Sequence, residues 1–280
     1  MTELVAAYYR QTAPWTQLAA TGPGPVSAAL ADLLADQIRA VCRDVAADEV
    51  AMHFTVSTML DLPFTAGWLE WETIRARTED LIGTPMGPFV SAYECASWGY
   101  CLRHARRVLP AGSYVTISVL DLNVFDLSYW HANPNWGNSG FGVATVLFRL
   151  DAERRLECNI GKSINGFGEF CLDLRRVATE DEGTMLIPPF FPHNIAAMYT
   201  RLLPEDRRLP NLTDIRGHCF GSDPWVGLVA RAGEADFADH RYIATSVALN
   251  GYWAIAEIVP RLGGFFAEGP LVADPLETAA

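Results

Sequence analysis

Apolar positions along this chain recur at two periods, which predict an alternation of helices and strands. Between residues 26 and 46, Leu30, Leu33, Leu34, Ile38 and Val41 return at spacings of three and four, as a helix with one buried face requires. Residues 50–58 are rich in β-branched and apolar side chains and predict a strand, with His53 inside it as a core histidine. A short helix near 69–81 is expected within a long connection, and Tyr114 to Leu122 predicts a buried strand. Gly142 to Leu150 and Leu156 to Ile164 predict a hairpin across the polar turn 151–155, followed by a charged link from Arg175 to Gly183. A strand near 185–191 then ends at Pro192-His193-Asn194. The next helix carries Ile195, Met198, Tyr199, Leu202 and Leu203 on one face. Tyr242 to Leu249 and Tyr252 to Val259 close a second hairpin on Asn250-Gly251, a strong two-residue turn signal. Residues 1–24 read as an irregular lead-in.

Both halves thus run strand, helices, strand, hairpin. That order suggests a duplicated α/β architecture, although no residue-level repeat accompanies it.

Two places break the pattern. After the apolar approach Pro88-Phe89-Val90, the stretch Glu94-Cys95-Ala96-Ser97-Trp98-Gly99-Tyr100 reads as a turn with Cys95 opening a helix. Unpaired N–H groups and the helix dipole there favour a thiolate. Read locally, Cys95 is either a buried core thiol, the commoner case, or a nucleophile. The second place is Gly217-His218-Cys219-Phe220-Gly221-Ser222-Asp223-Pro224, a glycine-bounded loop closing on Asp223 as helix cap and Pro224 at the first helical position. The polar, aromatic loop 123–140 has a composition that often shapes a site, with His131 on its rim.

Composition narrows the classes. At 280 residues, half of them apolar and 19% charged, the chain can bury a large core. A net charge of −12 argues against nucleic acid and anionic membranes as partners. No apolar run approaches a membrane span and no signal segment opens the chain, so a cytoplasmic protein is expected. Lys162 is the single lysine among 21 basic residues, and nothing around it resembles a phosphate loop. Six scattered cysteines suit reduced thiols better than structural zinc or a disulfide framework. No metal is expected, because Cys219 and His218 are adjacent and seldom could both reach one ion.

A thiol needs a base nearby to ionise at neutral pH, and an imidazole can also stabilise an oxyanion. Cys95, His193 and His218 supply those groups. Their order and local wording resemble the thiolase superfamily, most closely its β-ketoacyl-ACP synthase III branch. The branch's cysteine motif resembles Glu94-Cys95-Ala96-Ser97-Trp98-Gly99-Tyr100, and its His-Gln-Ala-Asn motif resembles Pro192-His193-Asn194-Ile195-Ala196. Its Gly-Asn loop falls at Gly217-His218, its glycine-rich hairpin resembles Leu249-Asn250-Gly251-Tyr252-Trp253, and its Gly-Asp-Gly-Ala strand loosely matches Gly140-Phe141-Gly142-Val143.

The resemblance spans about residues 26–260. It implies a five-layered α/β/α/β/α thiolase fold of two similar halves, 1–150 carrying the nucleophile and 151–280 the histidines, in a homodimer. The implied reaction is acyl transfer from a thioester to Cys95, then Claisen-type carbon–carbon bond formation, decarboxylative with a malonyl-type donor. His193 and His218 would assist decarboxylation and stabilise the enolate, and Asn250 and Gly251 would line the oxyanion hole. No cofactor is implied beyond acyl groups delivered on coenzyme A or an acyl carrier protein; Arg201, Arg207 and Arg208 are candidate contacts for the carrier.

The departures matter too. His218 stands where the branch has asparagine, and Glu94 replaces a small residue, where it would raise the cysteine pKa, cap the helix or act as an auxiliary base. The segment that lies along the family's coenzyme A entrance has no counterpart, which makes a carrier-bound substrate at least as expected. These departures point to specialised biosynthesis of the fatty-acid or polyketide type. The alternatives are an acyltransferase forming esters or amides and a catalytically silent partner subunit, against which the retained cysteine and histidines speak.

Overall fold

The computed structural model describes residues 2–151 and 153–277. Its strands are β1 (Glu3–Gln11), β2 (Val50–Val56), β3 (Phe89–Val90), β4 (Tyr114–Asp121), β5 (Gly142–Arg149), β6 (Leu156–Ile160), β7 (Thr184–Ile187), β8 (Arg241–Val247) and β9 (Tyr252–Glu268). The longer helices are α1 (Pro23–Cys42), α2 (Trp71–Ile82), α3 (Ser97–Val108), α4 (Gly166–Glu180), α5 (His193–Thr200) and α6 (Asp223–Arg231).

The strands follow one hydrogen-bonded path, β3-β2-β4-β5-β1-β9-β8-β7, with β6 also on β9. In the first half β2 runs parallel to β3 and β4, while β5 is antiparallel to β4 and β1. In the second, β7 and β8 are parallel and β9 is antiparallel to β8 and β6. A lone parallel bridge from Leu186 to Arg208 stands outside β7, where a third strand would lie. Each half therefore has its strands in the order third, second, fourth, fifth, first, with the fifth reversed. That is the duplicated α/β architecture the sequence order suggested.

Strands β4 and β5 are buried on both faces, with small hydroxyl side chains, Thr116, Ser118 and Thr145, among their apolar residues before β4 ends on Asp121. What covers them on the inside is a middle layer made of α3 and α6. Helix α3 packs on β2 and β4 from one side and on β6 and β9 from the other, and α6 likewise touches strands of both halves. Trp98 of α3 and Trp225 of α6, both fully buried, meet edge to face at 4.9 Å in this layer. Helices α1 and α2 cover the outside of the first half, and α4 with α5 that of the second. The result is the five-layered α/β/α/β/α arrangement.

Four expectations need correction. Residues 3–11 form β1, an interior strand flanked by β5 and β9, with Leu4, Ala7 and Tyr9 buried. Strands β5 and β6 make no hairpin: β5 pairs with β1 and β4, and β6 with β9, so the chain passes from one half to the other between them. The charged link is the exposed face of α4, whose Phe170, Leu174 and Val177 are buried at spacings of four and three. The strand expected at 185–191 stops at Ile187.

His53 is a core residue as expected: its ring lies 2.7 Å from Thr116 Oγ1 and 2.9 Å from Thr84 Oγ1, and burial lowers its pKa to about 4. Among the described residues no helix is long and apolar enough to cross a membrane.

Candidate active site

The site is built from two turns, one per half. After β3 the chain enters a tight 3₁₀ turn, Glu94–Ala96, with Glu94 in the left-handed region at φ 46°, and runs straight into α3. After the Arg208 bridge in the second half, a matching turn, Phe220–Ser222, starts from Phe220 at φ 54° and runs into α6. The turns touch across the middle of the molecule. A Cβ on Gly221 would come within 3.1 Å of both the Cys95 carbonyl oxygen and Val119 Cγ1, so the second turn carries a glycine where the first carries its thiol.

Asp121, fully buried at the end of β4, ties them together. Its Oδ1 accepts the Thr58 N–H at 2.8 Å and its Oδ2 accepts the Gly221 N–H at 2.8 Å. Burial raises this carboxyl to about 6 against the pull of those donors. Cys95 is 6% exposed, and the Thr58 hydroxyl, 3.7 Å away, donates to its Sγ. Burial pushes the thiol well above its ordinary pKa, with the Asp121 carboxylate adding to the effect. The expectation of a dipole-stabilised thiolate is therefore reversed: desolvation outweighs the helix start, and the thiol needs a base.

One imidazole, that of His218, faces the same cavity. His218 is 3% exposed, its ring stacked 4.8 Å from Phe191 and packed 4.7 Å from Phe220. Its Nδ1 lies 2.8 Å from Asp223 Oδ2 and 3.0 Å from the Phe190 carbonyl oxygen. Both are acceptors, so Nδ1 carries a proton toward them, and the ring in its neutral form would present Nε2 as a lone pair. Asp223, wholly buried, also accepts the N–H groups of Phe190 at 2.9 Å and Cys219 at 2.6 Å. It is thus not the helix cap that its place before Pro224 suggested; its carboxylate orients the imidazole. The backbone of His218 is gripped in turn by the aromatic loop, through His218 N–H to Asn138 O at 2.8 Å and Gly140 N–H to His218 O at 2.9 Å. Gly140 and Gly217 allow that approach, since a Cβ on either would lie within 2.6 Å of the other segment's backbone.

Cys95 and His218 open onto one cavity of about 500 Å³, within the range of small-molecule sites. Tyr129, Trp130, Trp136, Phe167 and Phe220 give it aromatic walls. Glu94 is the one carboxylate in the lining, which has no lysine or arginine. Among the described residues, no three histidine, cysteine or acidic side chains are grouped as a metal site requires.

The remaining candidates fall elsewhere or are already engaged. His193 is outside the cavity: its side chain is 84% exposed and its Nε2 lies 3.3 Å from Asp214. The reason is that β7 ends early and the following proline-rich segment buries Phe190 and Phe191, leaving His193 to begin α5 at the surface. Asn250 and Gly251 do line the cavity, but their backbone N–H groups and one N–H of the Asn250 amide are occupied. The Asn250 amide donates to Glu94 Oε1, its N–H reaches Glu94 Oε2 at 3.5 Å, and the Gly251 N–H is spent on Ala248 O at 3.0 Å. Glu94 is consequently a tether to the β8–β9 hairpin rather than a helix cap. Of the candidate carrier contacts, Arg207 is built into the fold, donating to the carbonyls of Asp181 and Ala178.

Asp121, Asp223 and Thr58 were not anticipated as site residues. One signal was available: β4, predicted as a buried strand, ends on a carboxylate.

No family model and no curated protein matches the chain. Solved structures do. The chain has the fold of the 3-oxoacyl-(acyl carrier protein) synthase III enzymes and related thiolase-fold condensing enzymes. It is similar to AbyA1, a tetronic acid condensing enzyme, at 13% identity and a TM-score of 0.61, covering 92% of this chain and 98% of that one. The acyltransferase ChlB3 gives 12% identity and a TM-score of 0.64, over 91% and 96% of the two chains. Synthase III from Pseudomonas aeruginosa PAO1 gives 14% and 0.59, over 93% and 99%.

Proposed function

We propose that this protein takes an acyl group from a thioester onto Cys95 and passes it to a second substrate activated by His218, as a condensing enzyme of specialised biosynthesis. The observation that carries this reading is the pairing, in one aromatic cavity, of a buried thiol with an imidazole whose Nδ1 is held by Asp223. In the first half-reaction Nε2 takes the thiol proton and Asp223 stabilises the imidazolium, while Sγ attacks the thioester carbonyl and the carrier thiol leaves with that proton. In the second, the same lone pair deprotonates the acceptor.

The names of the structural neighbours span condensation and acyl transfer, and a lone-pair base serves either. The acyl groups arrive on coenzyme A or a carrier protein, and the enzyme works as a homodimer. The built Cys95–His218–Asp223 set speaks against a silent partner subunit.

Intact-protein mass spectrometry after incubation with a panel of acyl thioesters tests the reading. An acyl mass should appear on the wild type and be absent from Cys95→Ala. Labelling that persists in that variant, or the absence of any labelling, refutes it.

A further inference from the structure

A condensing enzyme can make its carbon nucleophile by losing CO₂ from a malonyl-type donor or by removing a proton from a C–H between carbonyls. We infer that the second substrate here, on the acyl-enzyme reading above, is a neutral carbon acid activated by proton loss, and that a free carboxylate is excluded.

Charge in the cavity comes first. The lining carries Glu94 and no arginine or lysine, and two further carboxyl groups, Asp121 and Asp223, lie fully buried beside Cys95 and His218. Lys162 follows the lining residue Gly161 but is exposed, with Glu169 drawing on its charge. A substrate carboxylate entering this space would give up its hydration, meet no cation and face like charge.

Hydrogen bonding is the second line. Both routes form an enolate, but only proton removal requires a lone-pair base. Neutral His218 offers a lone pair at Nε2 because both neighbours of Nδ1 are acceptors. Among the described residues no second imidazole lines the cavity, since His193 is on the surface. The cavity offers no cation to receive a substrate carboxylate and holds an imidazole set up to act as the lone-pair base that deprotonation requires.

The step balances without a co-reactant. Nε2 takes the C–H proton, and the carbon's electron pair attacks the acyl carbonyl on Cys95. The C–S bond breaks with its pair going to Sγ, and Sγ recovers the proton from His218. The products are the acylated carbon acid and the free thiol; no CO₂ is released.

The test compares two probes of one shape. Wild-type enzyme is loaded at Cys95 with an octanoyl thioester, then given either malonyl-N-acetylcysteamine or its methyl ester, and loss of the acyl mass is timed by intact-protein mass spectrometry. The methyl ester should discharge the acyl-enzyme at least roughly tenfold faster, without CO₂ release, and Glu94→Gln should narrow that ratio by raising the malonyl rate. Equal or faster discharge by the malonyl compound with equimolar CO₂ overturns the inference, as does discharge by neither. Failure to load Cys95 at all is a different result, and it refutes the acyl-enzyme reading itself.

Discussion

The turn that opens α3 and the turn that opens α6 hold equivalent places in the two halves, begin with a residue in the left-handed region and end in a helix bearing a buried tryptophan. Yet one presents a thiol to the cavity and the other a glycine, with a histidine just ahead of it and a carboxylate just behind. The difference teaches how a duplicated fold makes an asymmetric site. On the proposed reading the first turn supplies the reacting atom, while the second, with a glycine at its centre, fits against the first and brings His218 to the same cavity. Asp121 accepts an N–H at the second turn and another from Thr58, which itself donates to Cys95, so the two are held in register.

Substitutions at matched positions can break that comparison. Asp223→Asn has the largest expected effect, a fall of about 100- to 10,000-fold in the rate of Cys95 acylation, because the imidazole loses its orienting carboxylate. A purely structural role would lower the rate equally at every pH. A positioning role predicts partial recovery in alkali, where the thiol, with its raised pKa, ionises unaided. A stopped-flow pH series separates the two.

Next comes glycine at the first position of each turn. Phe220 is buried against Trp130, Trp136 and His218, so Phe220→Gly should cost about 3–5 kcal/mol in urea unfolding. Glu94→Gly relieves a left-handed backbone worth about 1 kcal/mol and gives up only the part-exposed tether to Asn250, so its net change should stay within roughly 1 kcal/mol. Similar losses for both would show that the turns are energetically equivalent after all. Between these falls Gly221→Ala. Its methyl group would sit 3.1 Å from the Cys95 carbonyl oxygen and 3.2 Å from Asp121 Oδ2. The expected cost is about 1–3 kcal/mol in thermal unfolding, with slower acylation.

Much of this was legible in the chain, and the failures have physical causes. Helix α1 and the β8–β9 hairpin announce themselves because their signals are local: one-face periodicity and Asn250-Gly251. Helix α5, by contrast, stops at Thr200, short of the expected Leu202 and Leu203, and leaves Met198 exposed. Strand β1 was hidden because Tyr8, Tyr9 and the nearby prolines resemble a loop, and only pairing with β9, some 250 residues away, makes it interior. Helix α4 was hidden by its own exposed arginines. At the site, Cys95 and His218 stood out by their turns. His193 misled because three residues matching a motif say nothing about Phe190 and Phe191, which take the inward positions. Asp223 looked like a cap because Asp-Pro at a helix start usually is one; its partners, Phe190 N–H and the imidazole, are visible only in three dimensions.

Strand β9 has a mechanical consequence. Its first part pairs with β8 and β6 and its last part with β1, so one uninterrupted length of backbone is a member of both half-sheets. Sliding or hinging one half against the other would have to snap main-chain bonds along that shared rib. Breathing of the cavity therefore falls to the segments at its mouth, around Tyr129, Ile164 and Leu249, the exposed large apolar side chains of the lining. In deuterium uptake the amides of β9 and β1 should exchange together and last, as a single rigid keel, while those three rim segments exchange early.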